Sequence, residues 1–170
     1  MKSPSLKALF SLIGLCSIVL ASNIANATID KTYSLKAPPA TGTNIQTVIA
    51  KSRVSFSKSF DNLSDREQEI FKSQFLDIGS NDSPPFPAYG LRTIYKPIVK
   101  ANQNIQAKGS LHLTANVNAK GFVESIEVLS NPDEKLTAIA QKVLLSTRFD
   151  PASCDGVACE MSFPLEIDLQ

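Results

Sequence analysis

The chain has no tryptophan, one histidine and three cysteines in 170 residues. So few histidines and cysteines exclude a histidine-rich metal cage, a multi-zinc module and a dense disulfide scaffold. An excess of charge of one sign is also missing. Seventeen basic residues stand against sixteen acidic ones, for a net +1, which argues against a nucleic-acid binder that works through a basic surface. There is no glycine-rich phosphate cradle, because Asn118-Ala119-Lys120-Gly121 reads as a hairpin turn. His112 is the only candidate imidazole base. It falls on the polar side of an alternating segment, with no Ser or Cys nucleophile motif near it. No catalytic residue, cofactor or small-molecule substrate is therefore expected, and the chain reads as a non-enzyme. What is present is ordinary: 43% hydrophobic and 19% charged residues, the composition of a globular domain.

The first 27 residues have three zones. Lys2 and Lys7 give a positive start, the stretch from Ala8 to Ala21 is mainly apolar, and Ala25-Asn26-Ala27 is a small-x-small run. This is the order of a secretory signal peptide, with cleavage expected near Ala27. An uncleaved membrane anchor is the alternative, but a spanning helix needs about 20 mainly apolar residues and this core is shorter. Removing 27 residues from 170 leaves 143, and losing two lysines and no acid moves the net charge from +1 to −1. The expected product is near-neutral, exported and large enough for one core.

Cys154 and Cys159 are the cysteines left after that removal, and they flank Asp155-Gly156-Val157-Ala158. Asp-Gly is a tight-turn pair, so the two thiols can face each other. In an oxidising compartment they are expected to form a structural disulfide, with two free thiols as the alternative. A redox-active pair has two intervening residues, not four. Two cysteines and one histidine fall short of the four such ligands of structural zinc, so no metal site is expected.

Residues 28–43 read as a linker, because Ala37-Pro38-Pro39-Ala40-Thr41-Gly42-Thr43 is small and Pro-bearing. Residues 44–82 form an N-terminal extension of unassigned role. Its first part, to residue 60, is ambiguous between strand and helix. Residues 64–78 read as a helix: Ser64 and Glu67 have capping-box spacing, and Ile70, Phe71, Phe75 and Ile78 recur at helical intervals. Asp65 to Glu69 reads as a solvated charged face. After a breaker at residues 79–87, Leu91, Ile94, Tyr95 and Ile98 mark a second helix that Pro97 should kink or split.

From Gly109, Leu111, Leu113, Ala115 and Val117 alternate with Ser110, His112, Thr114 and Asn116, the pattern of a half-buried strand. A second strand covers residues 122–129, and its broken period between Val123 and Ile126 suggests a bulge. Asn131-Pro132-Asp133-Glu134 predicts a helix start with Asn131 as cap. Met161, Phe163, Leu165, Ile167 and Leu169 alternate along a third strand. The expected fold is α+β, strand-strand-helix-strand over residues 83–170. The three strands form an antiparallel sheet in the order second, first, third, with helices on one face. Pro164 places the third strand at an edge, since a strand proline lacks the donor that a second neighbour would need.

The order and spacing of these residues resemble the TonB C-terminal domain family. The likeness rests on the turn ending in Gly121, then Val123, Ile126, Val128, Leu129 and Ser130. It continues through helix positions Leu136 and Ala140, the Phe149-x-Pro151-Ala152 segment, and Phe163, Ile167 and Leu169. Upstream, Pro85-Phe86-Pro87 is similar to the family's Pro-x-Tyr-Pro motif, with Phe in place of Tyr. The resemblance implies a protein of the Gram-negative periplasm that binds an extended segment of an outer-membrane or envelope transport protein. Binding would add that segment to the sheet edge, with backbone hydrogen bonds giving affinity and side-chain pockets giving selectivity. The implied binding strand carries Glu160, Ser162, Pro164, Glu166 and Asp168. The short Pro-bearing stretch cannot span the periplasm, so energy transduction is not implied. The alternative is an envelope accessory or structural protein whose sheet edge is covered. Phe71 and Phe75 in a covering position would favour it.

Overall fold

A computed structural model describes residues 31–36, 48–76 and 78–169. The segment read as an export signal, residues 1–27, lies outside the described residues, as does the Pro-bearing part of the expected linker. The centre of the fold is a three-stranded antiparallel sheet of β4 (Gly109–Val117), β5 (Val123–Ser130) and β9 (Met161–Leu169), in the order β5-β4-β9. This is the expected order, and the α+β class holds. Leu111, Leu113, Ala115 and Val117 of β4 face Phe163, Leu165 and Ile167 of β9 from adjacent rows, all buried on one side. The period-two alternation of both strands requires this, because successive side chains take opposite faces. The β4–β5 register slips twice, once where Asn116 pairs Ser125 and Val117 pairs Val123. Glu124 is the extra residue, inside the interval where the period breaks.

Two helices cover the buried face. In α2 (Arg92–Ile105), Ile94, Ile98 and Val99 point inward; in α3 (Glu134–Ser146), Leu136, Ala140 and Leu144 do. Pro97 does not split α2, which continues as one helix for 14 residues. The N–H it lacks would have bonded Thr93, whose side of the helix is exposed, so water can serve that carbonyl. The cap of α3 is Asp133 rather than Asn131: its Oδ1 accepts from the Leu136 amide at 2.9 Å. Asn131 instead accepts from the Thr137 hydroxyl at 2.7 Å. A cap must be followed three residues on by a free amide in the first turn, and only Asp133 meets that condition. No helix among the described residues is long and apolar enough to cross a membrane.

The N-terminal extension differs most from expectation. Residues 33–36, read as linker, form β1 (Tyr33–Lys36), which pairs antiparallel with β2 (Val48–Ser52). The ambiguous stretch is thus strand over Val48–Ser52, where its described part starts, and the extension is not purely helical. Its helix α1 is Asp65–Lys72, shorter than the 64–78 expected. The capping box of Ser64 and Glu67 is present, but beyond Ser73 the chain turns, with Gln74 and Phe75 amides bonding back three residues. Phe71 nonetheless packs edge-on against Phe86 at 4.9 Å and lies 6.2 Å from Phe163, so the extension completes the core.

Glu67 is not on a solvated face. It is buried and serves as a hub: Oε1 accepts from the Ser55 amide, and Oε2 accepts from the Ser64 amide and hydroxyl, at 2.8–3.0 Å. Lys58 Nζ stands 3.7 Å away. Burial alone would raise this carboxyl, but the hydrogen bonds from Ser64, the Tyr33 hydroxyl and the Ser55 amide outweigh it and bring the group down to about 2.

Candidate functional site

The outer edge of β9 has no strand partner among the described residues. Two observations show which backbone groups it presents. Pro164 pairs Thr114 across from β4 and cannot donate, so this pair must be a non-hydrogen-bonded one. The Tyr95 hydroxyl of α2 donates to the Glu166 carbonyl at 3.3 Å, so that carbonyl points away from β4. By the period of two, Ser162, Pro164, Glu166 and Asp168 turn their backbone groups to the open side, while Phe163, Leu165 and Ile167 bond β4. Glu160 does not belong to this row. It precedes β9, and its carboxylate accepts from the Asn116 side chain. The hairpin that leads into β9 must close before the strand can start, and that leaves Glu160 in the connection.

A groove of about 980 Å³ runs along the last part of this edge. One wall is β9 from Glu166 to Leu169. A second is α2, through Tyr95, Val99 and Asn102. A third belongs to the N-terminal extension, through Ala50 and Lys51 of β2. Ser162 and Pro164 do not line it. The end of α2 is shaped by Asn102, whose side chain bonds the Ala107 amide and carbonyl at 2.9 and 3.1 Å. Gln106 then takes a left-handed conformation, φ 59°, and turns the chain into β4. Burial, with Glu166 nearby, pushes the Tyr95 phenol up to about 12, so it remains a donor at neutral pH.

The other predicted residues have structural places. Phe86 is fully buried, and β3 (Phe86–Pro87) pairs antiparallel with β6 (Phe149–Asp150). Two fragments of the sequence resemblance, Pro85-Phe86-Pro87 and Phe149-x-Pro151-Ala152, are therefore joined in space, on the core side and away from the groove. Cys154 and Cys159 form a disulfide that closes the hairpin of β7 (Ala152–Cys154) and β8 (Val157–Cys159). Asp155 and Gly156 both have positive φ at its tip, as the Asp-Gly pair predicts. The Asp155 amide also bonds Asp82 at 2.8 Å. His112 lies on the uncovered sheet face opposite Glu166.

Sequence reasoning missed Tyr95, Asn102, Ala50 and Lys51 as groove residues. Tyr95 sits at a core-like helical spacing, and only its polar tip hinted at a second role. The β2 residues lie in a stretch with no clear period. The chain matches no protein-family model and no curated protein.

Proposed function

We propose that this is an exported protein-binding module of the TonB C-terminal kind, which takes an extended segment of an envelope or outer-membrane transport protein at the outer edge of β9. The observation that carries the reading is the outward row of backbone groups at Ser162, Glu166 and Asp168, which has no strand partner among the described residues and which, from Glu166 on, runs beside an open groove. An edge strand next to a groove supplies what strand addition needs: a ladder to extend and a recess for alternate side chains. The groove has no nucleophile–base pair, so the reading is binding and not catalysis. The sequence likeness to the TonB C-terminal family and the strand-strand-helix-strand order support it.

The test is amide exchange read by NMR during titration with synthetic peptides from the periplasm-facing segments of outer-membrane transporters. Binding by strand addition protects the Ser162, Glu166 and Asp168 amides. Protection elsewhere with these three unchanged overturns it. Ser162→Pro removes one outward donor without touching the β4 ladder, so it should weaken binding and leave the fold intact.

One observation favours the second reading, an envelope accessory protein with a covered edge. Phe71 packs into the core and Phe75 meets Phe71 edge-on at 5.5 Å, while β2 walls the groove. The extension is thus part of the domain. If the Ser162, Glu166 and Asp168 amides are already protected from exchange in the free protein and no peptide changes them, the accessory reading takes precedence.

A further inference from the structure

The geometry points to a divalent transition-metal site of zinc type on the uncovered face of the sheet, made by His112, Glu166 and Asp168. One ligand atom from each lies within 4.8 Å of the others. They come from two adjacent strands, with His112 directly opposite Glu166 and Ser110 opposite Asp168. Both are non-hydrogen-bonded pairs, the closer kind, in which side chains from the two strands stand nearest each other.

The state of His112 is the second observation. Its Nε2 is shielded from solvent and has no hydrogen-bond partner, although Oε1 of Glu166 is only 3.2 Å away. At that distance an aligned N–H would bond the oxygen, so the nitrogen points off the line between them. Two ligands of one ion are arranged in this way. Each aims at the metal and not at the other, and bonds of about 2.0–2.2 Å at tetrahedral angles put neighbouring donors about 3.3–3.6 Å apart. An orphaned, desolvated nitrogen is unfavourable, and an ion would satisfy it.

The third ligand is held in place. The Ser110 hydroxyl donates to Oδ1 of Asp168 at 2.6 Å, and the Ser130 hydroxyl donates to the Ser110 carbonyl at 2.7 Å. Such outer bonds orient a ligating carboxylate and leave Oδ2 available. Glu166 is largely exposed, so its carboxylate can adjust to the ion without disturbing the sheet. One imidazole and two carboxylates suit a borderline ion such as Zn²⁺, whose charge the two acids neutralise. The remaining positions go to water. The scarcity of Cys and His excludes a structural zinc cage, but it says nothing of a surface site that uses carboxylates.

The test uses tag-free protein stripped of metal and titrated with Zn²⁺. His112 is the chain's one histidine, so its ring gives a single resonance that reports directly on the site. The expected result is a saturable 1:1 shift of that resonance, matched by calorimetry. His112→Asn and Asp168→Asn should each weaken binding at least about tenfold, within the range that loss of a ligand or its support produces. Both positions face solvent, and a melting curve checks that the variants fold. An unmoved His112 ring in the wild-type protein overturns the proposal whatever the variants do. Unchanged affinity in a folded His112→Asn variant also overturns it.

Discussion

The Tyr95 hydroxyl donates to the carbonyl of Glu166, 71 residues away in sequence, at 3.3 Å. This bond joins α2 to the outer edge of β9 and shows which way the edge faces. Tyr95→Phe should cost about 0.5–1.5 kcal/mol at neutral pH, the net worth of one hydrogen bond. The phenol is raised to about 12 in the fold, so the folded protein holds this proton more tightly than the unfolded chain does. Its contribution is complete below pH 10 and is lost as pH rises towards 12. Denaturant unfolding at neutral and alkaline pH should show the wild-type advantage over Tyr95→Phe shrinking, and the variant should lack the phenol titration step near pH 12.

Glu67 behaves in the opposite sense. Its carboxyl is lowered from 4.5 to about 2, so its stabilisation is present above pH 4.5 and disappears as pH falls towards 2. The linkage relation puts the effect at roughly 3 kcal/mol. Glu67→Gln should lose a comparable amount at pH 7, because an amide cannot accept from the Ser55 and Ser64 donors together. It should also flatten the acid limb of stability against pH.

Gly121 has φ +78°, and a Cβ built there would meet the Phe149 carbonyl oxygen at 2.1 Å. Backbone atoms cannot yield as a flexible side chain can. Gly121→Ala should therefore destabilise by more than about 2 kcal/mol from left-handed strain and collision together. Thermal melting tests this, with Gly156→Ala as comparison. Gly156 also has positive φ, but nothing lies within 4 Å of its added Cβ, so it should show the strain alone.

The Cys154–Cys159 bridge spans five residues of sequence. Loop-closure entropy assigns so short a ring about 2 kcal/mol. Adding reductant should lower the melting temperature of the wild-type protein and leave Cys154→Ser/Cys159→Ser unchanged. An equal wild-type melting temperature under oxidising and reducing conditions would contradict this.

The elements β4, β5, α3 and β9 were legible because their signals are local and periodic. Alternation over Leu111–Val117 and Phe163–Leu169 admits only one buried face, and Pro164 alone marks β9 as an edge. The α3 boundary slipped by two residues because Asn131 and Asp133 are both good caps, and only the direction of the chain entering the helix chooses between them. Glu67 was misread because its capping-box role is visible in sequence, while the Ser55 amide and Tyr33 hydroxyl that bury it come from 12 and 34 positions away.

Sequence by itself determined the faces of the sheet, the edge position of β9 and the cysteine-flanked turn, because backbone periodicity, a missing amide and Asp-Gly turn geometry act over a few residues. Tertiary structure alone decided what stands beside those elements. It set β2 and α2 around the groove, brought Phe71 into the core, and placed His112 against Glu166 and Asp168. These juxtapositions depend on packing between distant segments, which no local pattern encodes.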